Sequence, residues 1–304
     1  MLTAPFNGSI LYNILKNERI LDMALFLNKI LITLIIPLML NTSLPFFSIL
    51  KLVNYPKQVI SVSEEGIGSE ADPVYFTAHR GVTATAPENS LPSYEKAVEL
   101  GYYSAECDIR LTKDGHWVLS HNSSTSKMFW VDVEVEASTL AELKELEYMS
   151  GANFWEYDDL HIATLDEYLD IFVGSNTRPQ IEIKSEDYDS LYTIIDAVKA
   201  KGFAEQSIVI SFDLKQLEVI HELDSSIELW YLVDEITEEN ISEAKAISDN
   251  VWLSANFEEN DEASIKLAVD AEVPVSFWTV NTVEDAKMLY DMGIRYIETD
   301  ILCN

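Results

Sequence analysis

"SAECDIRLTKDGHWVLSHN", residues 104–122, is the stretch whose reading decides the fold. Its first eight residues have strand character. Successive strand side chains point to opposite faces, so Glu106 and Asp108 share one face while Ala105, Cys107 and Ile109 share the other. The apolar face has to pack against helices, which leaves the carboxylates on the inside of a closed sheet. "PQIEIK", residues 179–184, repeats the device, with Glu182 and Lys184 on one face and Ile181 and Ile183 on the other. Three acids and a lysine are therefore expected to converge inside a barrel, at the end where its strands finish.

Outward from this stretch, the same strand signal recurs with a regular rhythm. "PVYFTAH" at 73–79, "SIVISF" at 207–212, "IELWYLV" at 227–233, "NVWLSAN" at 250–256, "VPVSFWTV" at 273–280 and "IRYIETD" at 294–300 bring the number of runs to eight. Helix-period stretches such as "SLPSYEKAVELG" and "YDSLYTIIDAVKAKG" lie between most of them. This order predicts an α/β protein, a TIM (β/α)8 barrel over residues 73–304. One interval, from 113 to 178, is too long for an ordinary connection, so a small insertion after the second strand is placed at about 113–163. A doubly wound open sheet would need a glycine-rich phosphate turn after its first strand, and "HRGVTATAPEN" is not one. The chain stops at Asn304, directly after its last strand motif. The expectation is an outer ring without its final helix, the gap covered by the N-terminal segment or by a membrane.

The N-terminal region has another character. Residues 30–50, "ILITLIIPLMLNTSLPFFSIL", carry no charge and come close to the ~20 residues that span a bilayer as a helix. They are read as a membrane anchor, with 1–29 as a cytoplasmic or signal n-region and 51–72 as a linker. A start at Met23 would make "MALFLNK" the n-region of a cleaved signal, but no A-x-A-like cleavage site follows. A buried helix pair would have to accommodate Pro37 and Pro45 and shows no polar stripe. The expected location is membrane-anchored, with the domain outside the cytoplasm, periplasmic or at the cell surface; Lys and Arg flank both sides of the run and leave its orientation open, and secretion after cleavage is the alternative.

Charge excludes one class of partner. Of the formal −32, residues 1–60 contribute +3, from five Lys and Arg against two Asp and Glu, which leaves −35 on residues 61–304. A body so acidic repels nucleic-acid backbones and anionic membranes. The two cysteines, Cys107 and Cys303, build no disulfide framework.

A second histidine is brought in by turn chemistry. Asp114-Gly115 is a strong hairpin signal, and a two-residue turn flanked by Lys113 and His116 sets Asp108 directly across from His121. A bulge would shift that register by one.

"AHRG" followed by "PENS", then "AECDIRLTKDGHWVLSHN", "IEIK", "FWTVN" and "YIETD", in this order and spacing, resembles the glycerophosphodiester phosphodiesterase family over residues 73–301. The resemblance implies a TIM barrel with an insertion after its second strand. It further implies metal-dependent hydrolysis of glycerophosphodiesters to glycerol 3-phosphate and an alcohol, in phospholipid and glycerol metabolism. By position, His79 and His121 match the family's acid/base pair, Glu106, Asp108 and Glu182 its metal ligands, and Arg80 and Lys184 its phosphate contacts. Trp278 either lines the substrate pocket or fills the core. Glu88 and Asn89 either support the site from behind or simply lead into a helix, with Asn89 or Ser90 as its cap. One departure stands out: the family's usual His-Asp is His121-Asn122 here.

The chemistry agrees with these roles. A phosphodiester is anionic and inert, so its hydrolysis needs cations at the non-bridging oxygens and proton transfer at the attacking and leaving oxygens. An all-oxygen ligand set favours Mg2+ or Ca2+. Three functions remain in view: a phosphodiesterase acting on small glycerophosphodiesters, a lysophospholipase D of the same superfamily, and a non-catalytic surface-binding protein on a degenerate barrel. The complete set of seven residues speaks against the last.

Overall fold

The computed structural model of the chain describes residues 57–62, 65–248 and 251–304. A two-residue strand β1 (Ile60–Ser61) precedes the main sheet. The eight apolar runs then form β2 (Tyr75–Ala78), β3 (Ser104–Leu111), β5 (Arg178–Ile183), β6 (Ile208–Ser211), β7 (Glu228–Val233), β8 (Val251–Asn256), β9 (Val275–Trp278) and β10 (Tyr296–Thr299). Each pairs in parallel with the next, and β10 returns to pair with β2, so the sheet closes into the expected barrel.

Helices follow the strands: α1 (Leu91–Glu99), α3 (Leu165–Ile171), α4 (Leu191–Ala200), α5 (Leu214–Leu223), α6 (Glu238–Ile247), α7 (Glu262–Asp270) and α8 (Val283–Asp291). Several begin where the sequence offers a side-chain cap. Thr164 and Thr237 form reciprocal capping boxes with Glu167 and Asn240, and Asp213, Asp261 and Thr282 accept from first-turn N–H groups. Each such cap contributes about 1 kcal/mol.

The barrel has two kinds of filling. Outside, the strand residues Phe76, Cys107, Ile181, Val209, Leu253 and Ile297 share one core with helix residues such as Tyr94, Tyr168, Ile194 and Leu217. Inside, Ile208, Ile210, Trp230 and Leu232 from β6 and β7 form a separate apolar cluster. The inner faces of β10, β2, β3 and β5 instead bury Glu298, Thr77, Glu106, Asp108, Gln180 and Glu182. The β6–β7 side of the lumen is thus apolar and the β10–β2–β3–β5 side polar, and the polar side is where chemistry can happen.

The insertion, residues 112–164, carries β4 (Trp117–Leu119), α2 (Leu140–Lys144) and short 3₁₀ turns around its own small core of Val118, Phe129, Leu143 and Ile162. The hairpin register differs from expectation. β3 and β4 pair Ile109 with Leu119 and Leu111 with Trp117. Thr112 N–H donates to His116 O at 2.8 Å, enclosing three loop residues with Gly115 at φ +83°. This is a three-residue loop with glycine in the left-handed bulge position, and Asp114 Oδ1 steadies it by accepting from Thr112 Oγ1 and Leu140 N–H. Ser120 therefore stands opposite Asp108, its N–H on Asp108 O at 2.9 Å, and His121 lies one residue further on.

Among the described residues no helix follows β10. The chain instead forms β11 (Leu302–Cys303), parallel to β1, and Val62, Leu302 and Cys303 join the main core. Neither the 30–50 run nor the 1–29 region falls within the described residues, among which no helix is long and apolar enough to cross a membrane.

Candidate active site

The turn after β2 explains why histidine, arginine and glycine stand together. His79 N–H still bonds Thr299 O at 3.0 Å, after which Arg80 (φ +56°) and Gly81 (φ +80°) turn the chain through left-handed conformations. A Cβ on Gly81 would lie 2.6 Å from Ser93 Cβ and 2.9 Å from Ser93 C, so α1 can pack this closely only on glycine. The turn aims Arg80 N–H at Glu106 Oε2 (2.7 Å) and Arg80 Nε at Asp108 Oδ2 (3.2 Å).

Parallel pairing of β3 and β5 sets Asp108 beside Glu182. Lys184, just beyond β5, reaches both, with Nζ 2.5 Å from Glu182 Oε1 and 3.3 Å from Asp108 Oδ1. Glu106, Asp108 and Glu182 are 1%, 0% and 7% exposed, and each offers an oxygen within 4.8 Å of the others. Glu106 Oε1 is buried with neither a hydrogen-bond nor an ion-pair partner, whereas Asp108 Oδ1 and Glu182 Oε1 are met only by the Lys184 ammonium. Buried carboxylate oxygens are costly unless a cation or donor meets them. The all-oxygen donor set, with Glu106 Oε1 unmatched and a single ammonium shared by the other two acids, therefore fits a hard divalent cation. Burial, Asp108 and Glu298 push the Glu106 carboxyl well above its usual range. Burial and Asp108 push Glu182 up to about 7 despite Lys184. Burial opposes ionisation of Asp108 too, but Arg80, Lys184, His121 and the Asn89 amide hold it well below the ordinary value.

The two histidines are held differently. His79 Nδ1 lies 3.0 Å from Asp300 Oδ1, and Asp300 also accepts from Thr83 Oγ1 (3.2 Å) and Asn281 Nδ2 (2.8 Å). Burial works against the Asp300 charge, yet His79 and Asn281 keep the carboxyl well below its usual range, so it stays ionised. A carboxylate only accepts, which places the proton on Nδ1 and leaves Nε2 facing the carboxylate cluster. His121 Nδ1 donates to Asn122 Oδ1 at 2.8 Å, and Arg110 Nε and Nη2 hold the His121 carbonyl at 3.2 and 3.0 Å. Burial lowers His121 to about 4, with Arg80 and Lys184 working against protonation and Asp108 for it. The one-residue register shift has not removed His121 from the site; it still lies within electrostatic reach of Asp108.

Asn89 (φ +52°) does not cap α1. Its Nδ2 donates to Asp108 Oδ2 at 2.7 Å and its Oδ1 accepts from Asp108 N–H and Tyr94 Oη. Glu88 braces Arg80 from outside (3.6 Å) while pairing with Lys127 (2.7 Å) on the insertion. Trp278 packs against the inner apolar cluster, and its ring meets the exposed Phe212 edge-on, centroids 5.9 Å apart. Reading residue by residue passed over Asp300, Asn281 and Glu298. Alternation along "YIETD" was the available signal, since it turns residues 296, 298 and 300 to one face.

Cations that can grip a phosphate, carboxylates that can hold a metal and ring nitrogens that can move protons belong together in phosphodiester hydrolysis. That is the class the fold and this site define. The sequence profile of the glycerophosphoryl diester phosphodiesterase family matches residues 79–302. A glycerophosphodiester phosphodiesterase of Bacillus subtilis (strain 168) is 26% identical over 275 residues, covering 83% of this chain and 92% of its own. One from Caldanaerobacter subterraneus is 34% identical over 140 residues, 45% of this chain and 57% of its own. Among solved structures, an Oleispira antarctica phosphodiesterase in complex with the product sn-glycerol-3-phosphate aligns with a TM-score of 0.69 at 24% identity, over 80% of this chain and 96% of that one. A Thermotoga maritima glycerophosphodiester phosphodiesterase aligns at 0.61 and 26%, over 75% and 94%. The chain belongs to the glycerophosphoryl diester phosphodiesterase family.

Proposed function

We propose that the protein is a divalent-cation-dependent phosphodiesterase that cleaves small glycerophosphodiesters, such as glycerophosphocholine or glycerophosphoethanolamine, to glycerol 3-phosphate and an alcohol. The observation that carries this reading is the trio of convergent buried carboxylates, flanked by two cations and two oriented histidines. Mg2+ or Ca2+ held by Glu106, Asp108 and Glu182 would polarise the phosphate's non-bridging oxygens. Arg80 and Lys184 then bind the same phosphate, the arginine by directed hydrogen bonds and the lysine as a point charge.

The backing groups divide the labour between the histidines. His121, backed by a neutral amide and lowered to about 4, is neutral near pH 7 and able to take a proton from the attacking hydroxyl. His79 acts as the acid from its imidazolium form, in which Nε2 also carries a proton; the ionised Asp300 on Nδ1 stabilises that form, and the Nε2 proton goes to the leaving oxygen. Water and the substrate's own glycerol hydroxyl, which would first give a cyclic phosphate, can use the same base.

A second reading has one observation in its favour. Trp130 and Val131 are 45% and 51% exposed, next to Met128 and Phe129, which line the pocket beside His121. Such an apolar rim suits a lysophospholipid. The full-length protein is expected to release glycerol 3-phosphate from glycerophosphocholine, to lose that activity with chelator and to regain it with Mg2+ or Ca2+. His79→Ala and His121→Ala should each lower kcat by about 10² or more. Turnover that survives exhaustive chelation removes the metal. Turnover confined to lysophospholipids selects the second reading, and none on either substrate removes both.

A further inference from the structure

One buried carboxylate has no part in the steps above. Glu298, on β10, is 3% exposed, accepts from Gln180 Nε2 at 3.0 Å and places Oε1 4.0 Å from His79 Nε2. Gln180 is fixed in turn by Ser104 Oγ (3.0 Å), itself bonded to Thr77 Oγ1 (2.6 Å), so Glu298 is held in place near His79 Nε2. His79, Glu106 and Glu298 each offer a donor atom, all within 4.8 Å of one another. This group shares only Glu106 with the three-carboxylate cluster.

Two further features distinguish it from a mere gathering of acids. Glu106 is almost completely buried, and its Oε1 has no hydrogen-bond partner. His79 donates Nδ1–H to Asp300, the outer-shell arrangement that orients a metal-binding imidazole and leaves Nε2 as its lone-pair nitrogen. The donor chemistry also differs from that of the neighbouring cluster. One imidazole nitrogen with two carboxylate oxygens is a ligand set for Zn2+ or Co2+, whereas oxygen alone suits Mg2+ and Ca2+. Ligand distances of about 2.0–2.2 Å could be reached by shifts of roughly 1 Å or less.

We propose that His79, Glu106 and Glu298 form a second, transition-metal position that competes with the hard-cation position for Glu106 and, when filled, occupies His79 Nε2 and silences hydrolysis. The silencing rests on the proposed function; the metal binding does not. Zn2+ is therefore expected to inhibit, and added Ca2+ to relieve the inhibition competitively.

Co2+ added to the full-length protein is the direct probe, because its unpaired spins shift the ring N–H of a ligating histidine far outside the ordinary proton range. A shifted, water-exchangeable resonance is expected, absent in His79→Ala. Glu298→Gln should weaken Co2+ binding about tenfold or more while Ca2+ affinity, measured by calorimetry, stays within about twofold. Glu182→Gln should do the reverse. A Co2+-loaded protein with no shifted histidine resonance overturns the proposal, as does equal Co2+ affinity in Glu298→Gln. Both readings stand apart from turnover, so a protein inactive on every phosphodiester would refute the proposed function and leave this test intact. Absence of the resonance from the unmutated protein refutes the proposal even if every variant fails to fold.

Discussion

Asn122 is the residue at which this chain departs from the pattern it resembles, and the structure shows what the change does. The amide oxygen holds His121 Nδ1 at 2.8 Å as a carboxylate would, but it brings no charge to stabilise the imidazolium. His121 is accordingly low, at about 4, chiefly through burial. Asn122→Asp would keep the geometry and add a negative charge, which favours the protonated ring and should raise the histidine by about 1–3 units. A base that stays protonated to higher pH is lost sooner on acidification. The acidic limb of the kcat/KM profile should therefore move towards neutrality, with turnover at high pH little changed. An acidic limb that does not move in Asn122→Asp would show that His121 is not the base.

The carboxylates of β3 and β5 are an element-scale device, since Asp108 and Glu182 meet only because the two strands pair in that register. Without a cation, Glu182, pushed up to about 7, is partly protonated near neutrality, and burial pushes Glu106 in the same direction. A cation must displace such protons, so its affinity should fall as pH drops below about 7, and binding at pH 6 should release protons. Calorimetry in two buffers of different ionisation enthalpy measures that release directly. Equal apparent enthalpies in the two buffers would mean that the carboxylates are already ionised before the metal arrives. The β3–β4 hairpin makes a complementary point. Asp114-Gly115 marks a turn correctly, yet the dipeptide does not say whether two or three residues lie between the closing pair. Here the third residue carries Gly115 at φ +83° and displaces His121 by one position.

At the scale of the whole molecule the charge division matters most. The −35 on residues 61–304 disfavours anionic surfaces, while the uncharged run at 30–50 has the length to hold a protein at a bilayer by hydrophobic transfer. We propose that this run anchors the protein. Full-length protein should then sediment with membranes and resist extraction by high salt and by alkali, neither of which weakens apolar burial. Recovery of soluble protein that begins after residue 42 would establish cleavage instead.

Much of this protein is local enough to be read along the chain. Period-two alternation separates Glu106, Asp108 and Glu182 from their apolar neighbours, and eight such runs interleaved with helix-period stretches define the barrel, because strand side-chain direction depends only on covalent geometry. Lys184 and the paired histidines were legible for the same reason or through motif resemblance. What stands behind them was not. His79 meets Asp300 across 221 residues of chain, and Glu298 approaches the same ring because β10 closes the barrel against β2. Those contacts depend on ring closure and strand register, which no spacing within a single strand records. The same holds for Asn89, whose amide leaves the helix start to bond Asp108 instead. Alternation determined which residues face inward; closure of the sheet decided which of them touch, since only a closed barrel brings the first strand beside the last.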